Sequence, residues 1–260
     1  MNLPDSLWTP ASIHPALSSD EVHVWRASLD QPAANYAILL SSAEQMRAKR
    51  FRFEQKRRQF IVGRGILRII LGHYLNSPPE DLKFEYRASG KPTLSAGMLQ
   101  SELCFNLSHS EEMMLLAVTQ KREVGIDLEY IRPNLDIEKL AEQFFSPSER
   151  AELDALPSAK KLRSFFSGWT CKEAYLKARG DGMNYPWDQF SVSMNCDESA
   201  KLLGVKDDQR ELTRWSFHAL TPAPGYIGAL AVEGHGWDLV QWHFGGFEMQ
   251  APASRGPFHN

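Results

Sequence analysis

Three carboxylates and two lysines in this chain are spaced so that they could do chemistry together. The stretch 124-VGIDLEY-130 alternates Val124, Ile126 and Leu128 with Gly125, Asp127 and Glu129. A period of two predicts a strand with one apolar face. On the other face Asp127 and Glu129 stand at i and i+2, roughly 7 Å apart at about 3.3 Å per residue. Like charges so placed repel unless water or a cation screens them. Hard divalent ions take carboxylate oxygens, and Mg²⁺ commonly uses one or two together with water and phosphate oxygens. A half-buried strand with a solvated acidic face accounts for the same letters.

The second acidic element is 167-SGWTCKEAYLKARGDG-182. At about 100° per residue, Phe165, Trp169 and Leu176 share one helical stripe. Lys172 lands on that stripe, and Glu173 lies between it and Phe166. Glu173 and Lys177, at i and i+4, could form a surface pair worth about a few tenths of a kcal/mol. That pairing explains the spacing but not the face, because burying a charge without a partner is costly. A helix face lining a cleft resolves this, with Glu173 as a third metal carboxylate and with Lys172 and Lys177 turned to an anion.

Two further stretches carry polar chemistry. In 105-FNLSHSEE-112, Ser108 and His109 are expected to end a strand and begin a turn. Their adjacency is no hydrolase triad, whose members meet in space, and no G-x-S-x-G elbow occurs. A hydrogen bond to phosphate suits His109 better. The run 47-RAKRFRFEQKRR-58 is densely basic. It reads as a solvated helix face, a nucleic-acid-binding helix or a local phosphate site, since Arg grips phosphate bidentately. The sequence contains neither a P-loop pattern nor G-x-G-x-x-G. Gly-Lys-Pro at 90–92 would present Lys91 from a loop.

The elements that must position these groups follow a repeated order. Residues 42–75 read as helix, either one with a break or two, ended by Asn-Ser-Pro-Pro at 76–79. Strand-like runs follow at 82–87, 103–108 and 113–120. A helix near 136–144 comes next, then Ser-Pro-Ser-Glu at 146–149, a helix-start signature. A long helix over 160–179 precedes strand-like runs at 190–194, 215–221 and 226–233. Each half is thus a long helix followed by about three strands, which predicts an α+β chain of two similar modules in tandem. The expected boundaries are 1–122 and 123–235, with a partly flexible extension over 236–260.

The 260 residues carry a formal net charge of -3 and 43% hydrophobic residues, an ordinary globular composition. That charge speaks against a generally nucleic-acid-binding protein. The first residues show no basic region followed by an apolar run, and no stretch approaches the roughly 20 apolar residues that span a membrane. Cys104, Cys171 and Cys196 are widely spaced and form neither a disulfide framework nor a zinc pattern. A cytoplasmic protein without a membrane partner is expected.

Taken together, 105-FNLSHS-110, 125-GIDLEYIRP-133, 144-FFSPSERAEL-153 and 169-WTCKEAYLKARGDG-182, with 90-GKP-92 upstream, resemble the Sfp-type 4′-phosphopantetheinyl transferases. The resemblance runs from about residue 42 to about residue 233. It implies transfer of the phosphopantetheine arm of coenzyme A (CoA) onto a serine of an apo acyl or peptidyl carrier protein, releasing adenosine 3′,5′-bisphosphate. It implies a pseudo-dimer of two α+β modules with CoA in the cleft between them, complete within a monomer. Asp127, Glu129 and Glu173 match the family's metal positions, for Mg²⁺ with Mn²⁺ as a substitute. Lys172 and Lys177 match lysines beside the pyrophosphate, and Ser108 and His109 match a turn that contacts adenine and phosphate. Arg47, Arg87 and Lys91 fall near positions that hold the 3′-phosphate and pyrophosphate. On this mapping Glu173 is the candidate base for the carrier serine, with Lys177 and His109 as the other catalytic candidates. The alternative is a CoA-binding regulatory protein of the same fold without catalysis.

Overall fold

The computed structural model describes residues 8–10, 16–87, 90–180, 182, 185–194, 200–206 and 208–246. Two short helices, α1 (Ala34–Ala37) and α2 (Ser42–Lys49), lead into the long α3 (Glu54–Leu75). The predicted helical region is therefore two helices. A capping box starts α2, in which the Ser41 hydroxyl accepts from the Glu44 amide and the Glu44 carboxylate accepts from the Ser41 amide. Asn76, in the left-handed region at φ 47°, ends α3.

The first sheet has the order β1 (Thr9–Pro10), β12 (Asp238–Phe244), β2 (Glu21–Ser28), β6 (Met113–Gln120), β5 (Leu103–Ser110). β2 pairs antiparallel with β6, whereas β12 lies parallel between β1 and β2. Sequence periodicity missed β2 because Val22, His23, Val24 and Trp25 are all buried, and a strand covered on both faces does not alternate. It also placed residues 236–260 as an extension, but 238–244 are an internal strand of this sheet; residues 247–260 lie outside the described residues.

The second sheet has the order β10 (Trp215–Leu220), β11 (Tyr226–Glu233), β7 (Val124–Tyr130), all antiparallel. Its long helix is α6 (Ser158–Arg179), preceded by α4 (Ile137–Phe144) and α5 (Pro147–Asp154). Two hairpins stand apart: β3 (Phe84–Tyr86) with β4 (Pro92–Leu94), and β8 (Phe190–Val192) with β9 (Leu202–Val205). The architecture is α+β, and the first half has more strands than the three expected.

Strand alternation sorts the core into layers. Trp25, Ala27, Met114 and Leu116 face α3, which covers them with Ile66, Leu67 and Ile70. The opposite faces of the two sheets meet each other, with Val22, Val24, Leu115 and Ala117 against Val124, Ile126, Leu128 and Leu230. Beyond the second sheet, α6 packs Cys171, Ala174 and Ala178 with Ala229 and Ala231 of β11. These small residues bring helix and sheet close. At Gly125 a Cβ would lie 2.0 Å from the Ala174 carbonyl oxygen, so only glycine lets α6 rest on β7. The alternate residues Gly125, Asp127 and Glu129 thus face the helix that bears Glu173.

Candidate active site

β5 ends the first sheet and β7 ends the second, and side chains join these two edges. Alternate residues of β5 do the joining. Asn106 Oδ1 accepts from the Ile126 amide at 2.9 Å, Ser108 Oγ donates to Asp127 Oδ1 at 2.9 Å, and Ser110 Oγ donates to Glu129 Oε2 at 3.3 Å. Strand β5 runs two residues further than expected, so Ser108 and His109 belong to the strand itself. The Gly125 contact sets α6 over this seam. A cleft of about 550 Å³ opens there, lined by Asp127, Glu129, Glu173 and Lys177 from the second half of the chain and by Arg47, Lys91, Ser108 and His109 from the first. A larger groove of about 1000 Å³ adjoins it, sharing Arg47 and Tyr86 but holding none of the three site carboxylates.

The carboxylates strain against one another. Burial is the main cause that pushes Glu173 up to about 7, and Asp127 and Glu129 add to it while Lys177 opposes it. Burial and then Asp127 raise Glu129 as well, with Arg132 acting against them. Asp127 is 4% exposed; its Oδ1 takes the Lys177 ammonium at 2.6 Å, while its buried Oδ2 has no hydrogen-bond partner. For Lys177, burial opposes the charge, but Asp127, Glu173 and Glu129 outweigh it and hold the ammonium protonated above its ordinary value. Among the described residues no three His, Cys, Asp or Glu side chains are already gathered as a metal cluster. The donor set nonetheless fits a hard divalent cation. It offers carboxylate oxygens alone, one of them buried without a partner, and mutual repulsion that a cation would relieve.

His109 stands exposed at the mouth. Desolvation against the cleft wall, then Lys56 and Lys177, lower its pKa, so at neutral pH the imidazole is uncharged and can donate one hydrogen bond. Arg47 lies over the rings of Phe60 and Tyr86, at 5.4 Å and 5.7 Å. The rest of the basic run is dispersed, with Arg58 paired to Asp30 at 2.7 Å and Arg57 to Glu54. Lys91 lines the cleft, yet its ammonium donates to the carbonyls of Val124 and Lys177 at 3.0 and 2.9 Å and so braces the two halves. Arg87 turns to Glu123 at 2.8 Å and is not among the cleft-lining residues.

Lys172 corrects the sequence reading. It does lie on the apolar stripe, but its side chain is 0% exposed and does not reach the cleft. Its ammonium donates to Glu149 Oε1 and Oε2 at 3.0 and 2.8 Å and to the Phe190 carbonyl at 2.8 Å, above the Phe190 ring. Glu149 is the capping-box residue of α5, and its Oε1 also accepts from the Val192 amide at 2.8 Å. The cation on the buried face is therefore partnered by protein, and only its neighbour Glu173 turns to the cleft. Sequence reading saw Ser146-x-x-Glu149 as a helix start, but a capping box leaves one carboxylate oxygen whose partner no local pattern names. It also missed Phe60, Arg64 and Tyr86 as cleft residues, because Phe60 reads as core and Arg64 as one more charge on a helix.

The raised Glu173 carboxyl has a consequence for stability in the metal-free protein. The unfolded chain releases this proton near pH 4.5 and the folded chain only near 7, so stability falls as pH rises between these values and stays lower above them. Glu173→Gln removes that loss. Urea unfolding in EDTA should find the variant more stable than wild type by roughly 2–3 kcal/mol at pH 8 and equal to it near pH 4. Equal stabilities at pH 8 would show that burial and the neighbouring carboxylates do not hold the Glu173 proton.

Comparison with known proteins shows what the chain is similar to. Residues 123–231 match the model of the 4′-phosphopantetheinyl transferase superfamily. Residues 23–121 match that of the 4′-phosphopantetheinyl transferase N-terminal region. The chain is 45% identical over 240 residues to 4′-phosphopantetheinyl transferase HetI of Nostoc sp. (strain PCC 7120 / SAG 25.82 / UTEX 2576), covering 91% of this chain and 98% of that protein. It is 35% identical over 187 residues to 4′-phosphopantetheinyl transferase AcpT of Escherichia coli (strain K12), covering 72% and 83%. The solved holo-[acyl-carrier-protein] synthase of Thermotoga maritima overlaps 43% of this chain and 62% of that one, at 24% identity and a TM-score of 0.34, too little to carry an argument. With both halves matched and a relative alike along nearly its whole length, the chain belongs to the 4′-phosphopantetheinyl transferases.

Proposed function

We propose that the cleft between the sheet edges binds CoA and that its phosphopantetheine arm passes there to a serine hydroxyl of an apo acyl or peptidyl carrier protein. The convergence of Asp127, Glu129, Glu173 and Lys177 on one cleft carries this reading. Asp127, Glu129 and Glu173 would hold Mg²⁺, which when bound neutralises the diphosphate and the charge growing on the leaving group. Glu173 accepts the proton of the serine as its oxygen attacks the phosphorus bearing pantetheine. The bond to adenosine 3′,5′-bisphosphate breaks, and Lys177 lies close enough to the carboxylates to steady the charge that departs. His109, uncharged, donates a hydrogen bond to a phosphate oxygen, and Arg47 presents its planar guanidinium to the 3′-phosphate. Arg87 and Lys91 brace the wall around Glu123 and β7 and meet CoA only if they exchange these partners.

The two halves read as a pseudo-dimer. Both sheets contain the order β2–β6–β5 or β7–β11–β10, built from strands in the same chain sequence. Both long helices have 22 residues, and Arg68 and Lys172 stand at the same place along them. Each of these cations meets the glutamate of a capping box, Glu44 or Glu149. By strand register Trp25 and Ala27 correspond to Asp127 and Glu129, and by helix position Ile69 corresponds to Glu173. These three are buried in the first core, so the first half supports no second acidic site. Residues of both halves line the cleft, so one chain completes it and a monomer suffices.

The test mixes the protein with CoA, Mg²⁺ and a panel of apo carriers and reads intact mass. Gain of the arm that EDTA stops and Mg²⁺ restores is the expected result. CoA binding without transfer to any carrier would favour a regulatory protein of the same fold.

A further inference from the structure

Helix α2 carries Arg47 into the cleft, yet apolar packing does little to hold it. Of its eight residues only Glu44 and Ala48 are buried. One alanine is too little apolar surface to fix a helix this short, which is not stable by itself. Glu44 does the holding. Its Oε1 accepts from Arg64 Nε at 2.7 Å, and its Oε2 accepts from Arg68 Nε and Nη2 at 2.9 and 2.6 Å. Arg68, 1% exposed, also donates through Nη1 to the carbonyls of Pro79 and Leu82 at 2.8 and 3.0 Å, at the approach to β3. Glu44 thus joins α2 to α3, and Arg68 joins α3 to the segment before β3. These elements give the cleft Arg47 from α2, Arg64 from α3 and Tyr86 from β3.

We propose that Glu44 is a positioning residue for coenzyme A. It lines the adjoining groove but not this cleft; it fixes α2 on α3 and so sets where the Arg47 guanidinium stands over the Phe60 and Tyr86 rings. The proposal rests on the reading of Arg47 as a CoA phosphate ligand. Its counterpart in the second half is Glu149, which grips Lys172 beside Glu173.

Calorimetric titration of CoA, with steady-state transfer kinetics, tests it. Glu44→Gln should raise Kd for CoA about tenfold while kcat and KM for the apo carrier stay within about twofold. In an Arg47→Ala background the same substitution should change Kd less than about twofold, because residues acting through one another are not additive. Full additivity, or a parallel loss of kcat and carrier KM, would mark a general loosening of the fold and overturn the proposal. Arg68→Lys keeps the charge, and Arg68 lines the adjoining groove but not the cleft; the variant should weaken CoA binding in the same way. A folded Arg68→Lys with wild-type Kd overturns the clamp even where Glu44→Gln does not fold. Unchanged CoA affinity in Arg47→Ala would remove Arg47 from the ligands and the clamp with it. A weakened Arg47→Ala beside an unchanged Glu44→Gln would sink the clamp alone.

Discussion

Asp127→Asn is expected to lower transfer by on the order of a thousandfold or more while the chain stays folded. The asparagine is nearly isosteric, so it can keep the bond from Ser108 and the place of β7 beside β5. What it loses is charge at the centre of the site. Asp127 holds the Lys177 ammonium through one oxygen and leaves the other buried without a partner. A neutral amide offers a weaker oxygen to a cation and puts an NH₂ donor where an acceptor is needed. Lys177 keeps Glu173 and Glu129 as anionic neighbours, so the fold loses little. The checks are intact-mass transfer at saturating Mg²⁺ and thermal unfolding with and without Mg²⁺. Wild type should gain stability on adding Mg²⁺ and the variant should not. A variant that transferred at near-wild-type rates would remove Asp127 from the metal site.

The second large effect concerns stability. Glu149→Ala should destabilise the protein by about 3–5 kcal/mol, since it leaves the Lys172 ammonium buried with no counter-charge. Burial already lowers the Lys172 pKa against the pull of Glu149, so removing Glu149 drives the lysine to shed its proton. The damage spreads, because Glu149 also caps α5 and accepts from the Val192 amide of β8. Replacing both partners, as Glu149→Leu with Lys172→Met, should recover much of the loss, because a buried pair exchanged for apolar groups is often near neutral. Urea unfolding of the single and double variants gives the coupling directly. A Lys172→Met variant of wild-type stability but without transfer would instead return Lys172 to the phosphates.

The local placement of several candidate site residues is legible in the sequence. Alternation in 124-VGIDLEY-130 placed Asp127 and Glu129 on one face of a strand, because side-chain direction in a strand is fixed by local geometry. Helical spacing put Lys172 on the buried stripe of α6, where it is. The capping box at 146–149 gave the start of α5, since its bonds join residues three apart. The motifs in combination named the family, and the matches to both halves agree.

Tertiary structure decided the partners. Lys172 and Glu149 are 23 residues apart, so whether that buried cation met a phosphate or a protein carboxylate depended on how α5 folds against α6. The strands β2 and β12 escaped notice because burial on both faces erases alternation in β2, and because β12 joins its sheet through hydrogen bonds to residues more than 200 positions away. Even the closeness of Asp127 to Glu173 rests on an absent side chain, for at Gly125 any Cβ would collide with the backbone of α6. Sequence fixes what each short segment can present to a neighbour; which neighbour arrives is set by packing across the whole chain, where distant residues compete for the same buried space.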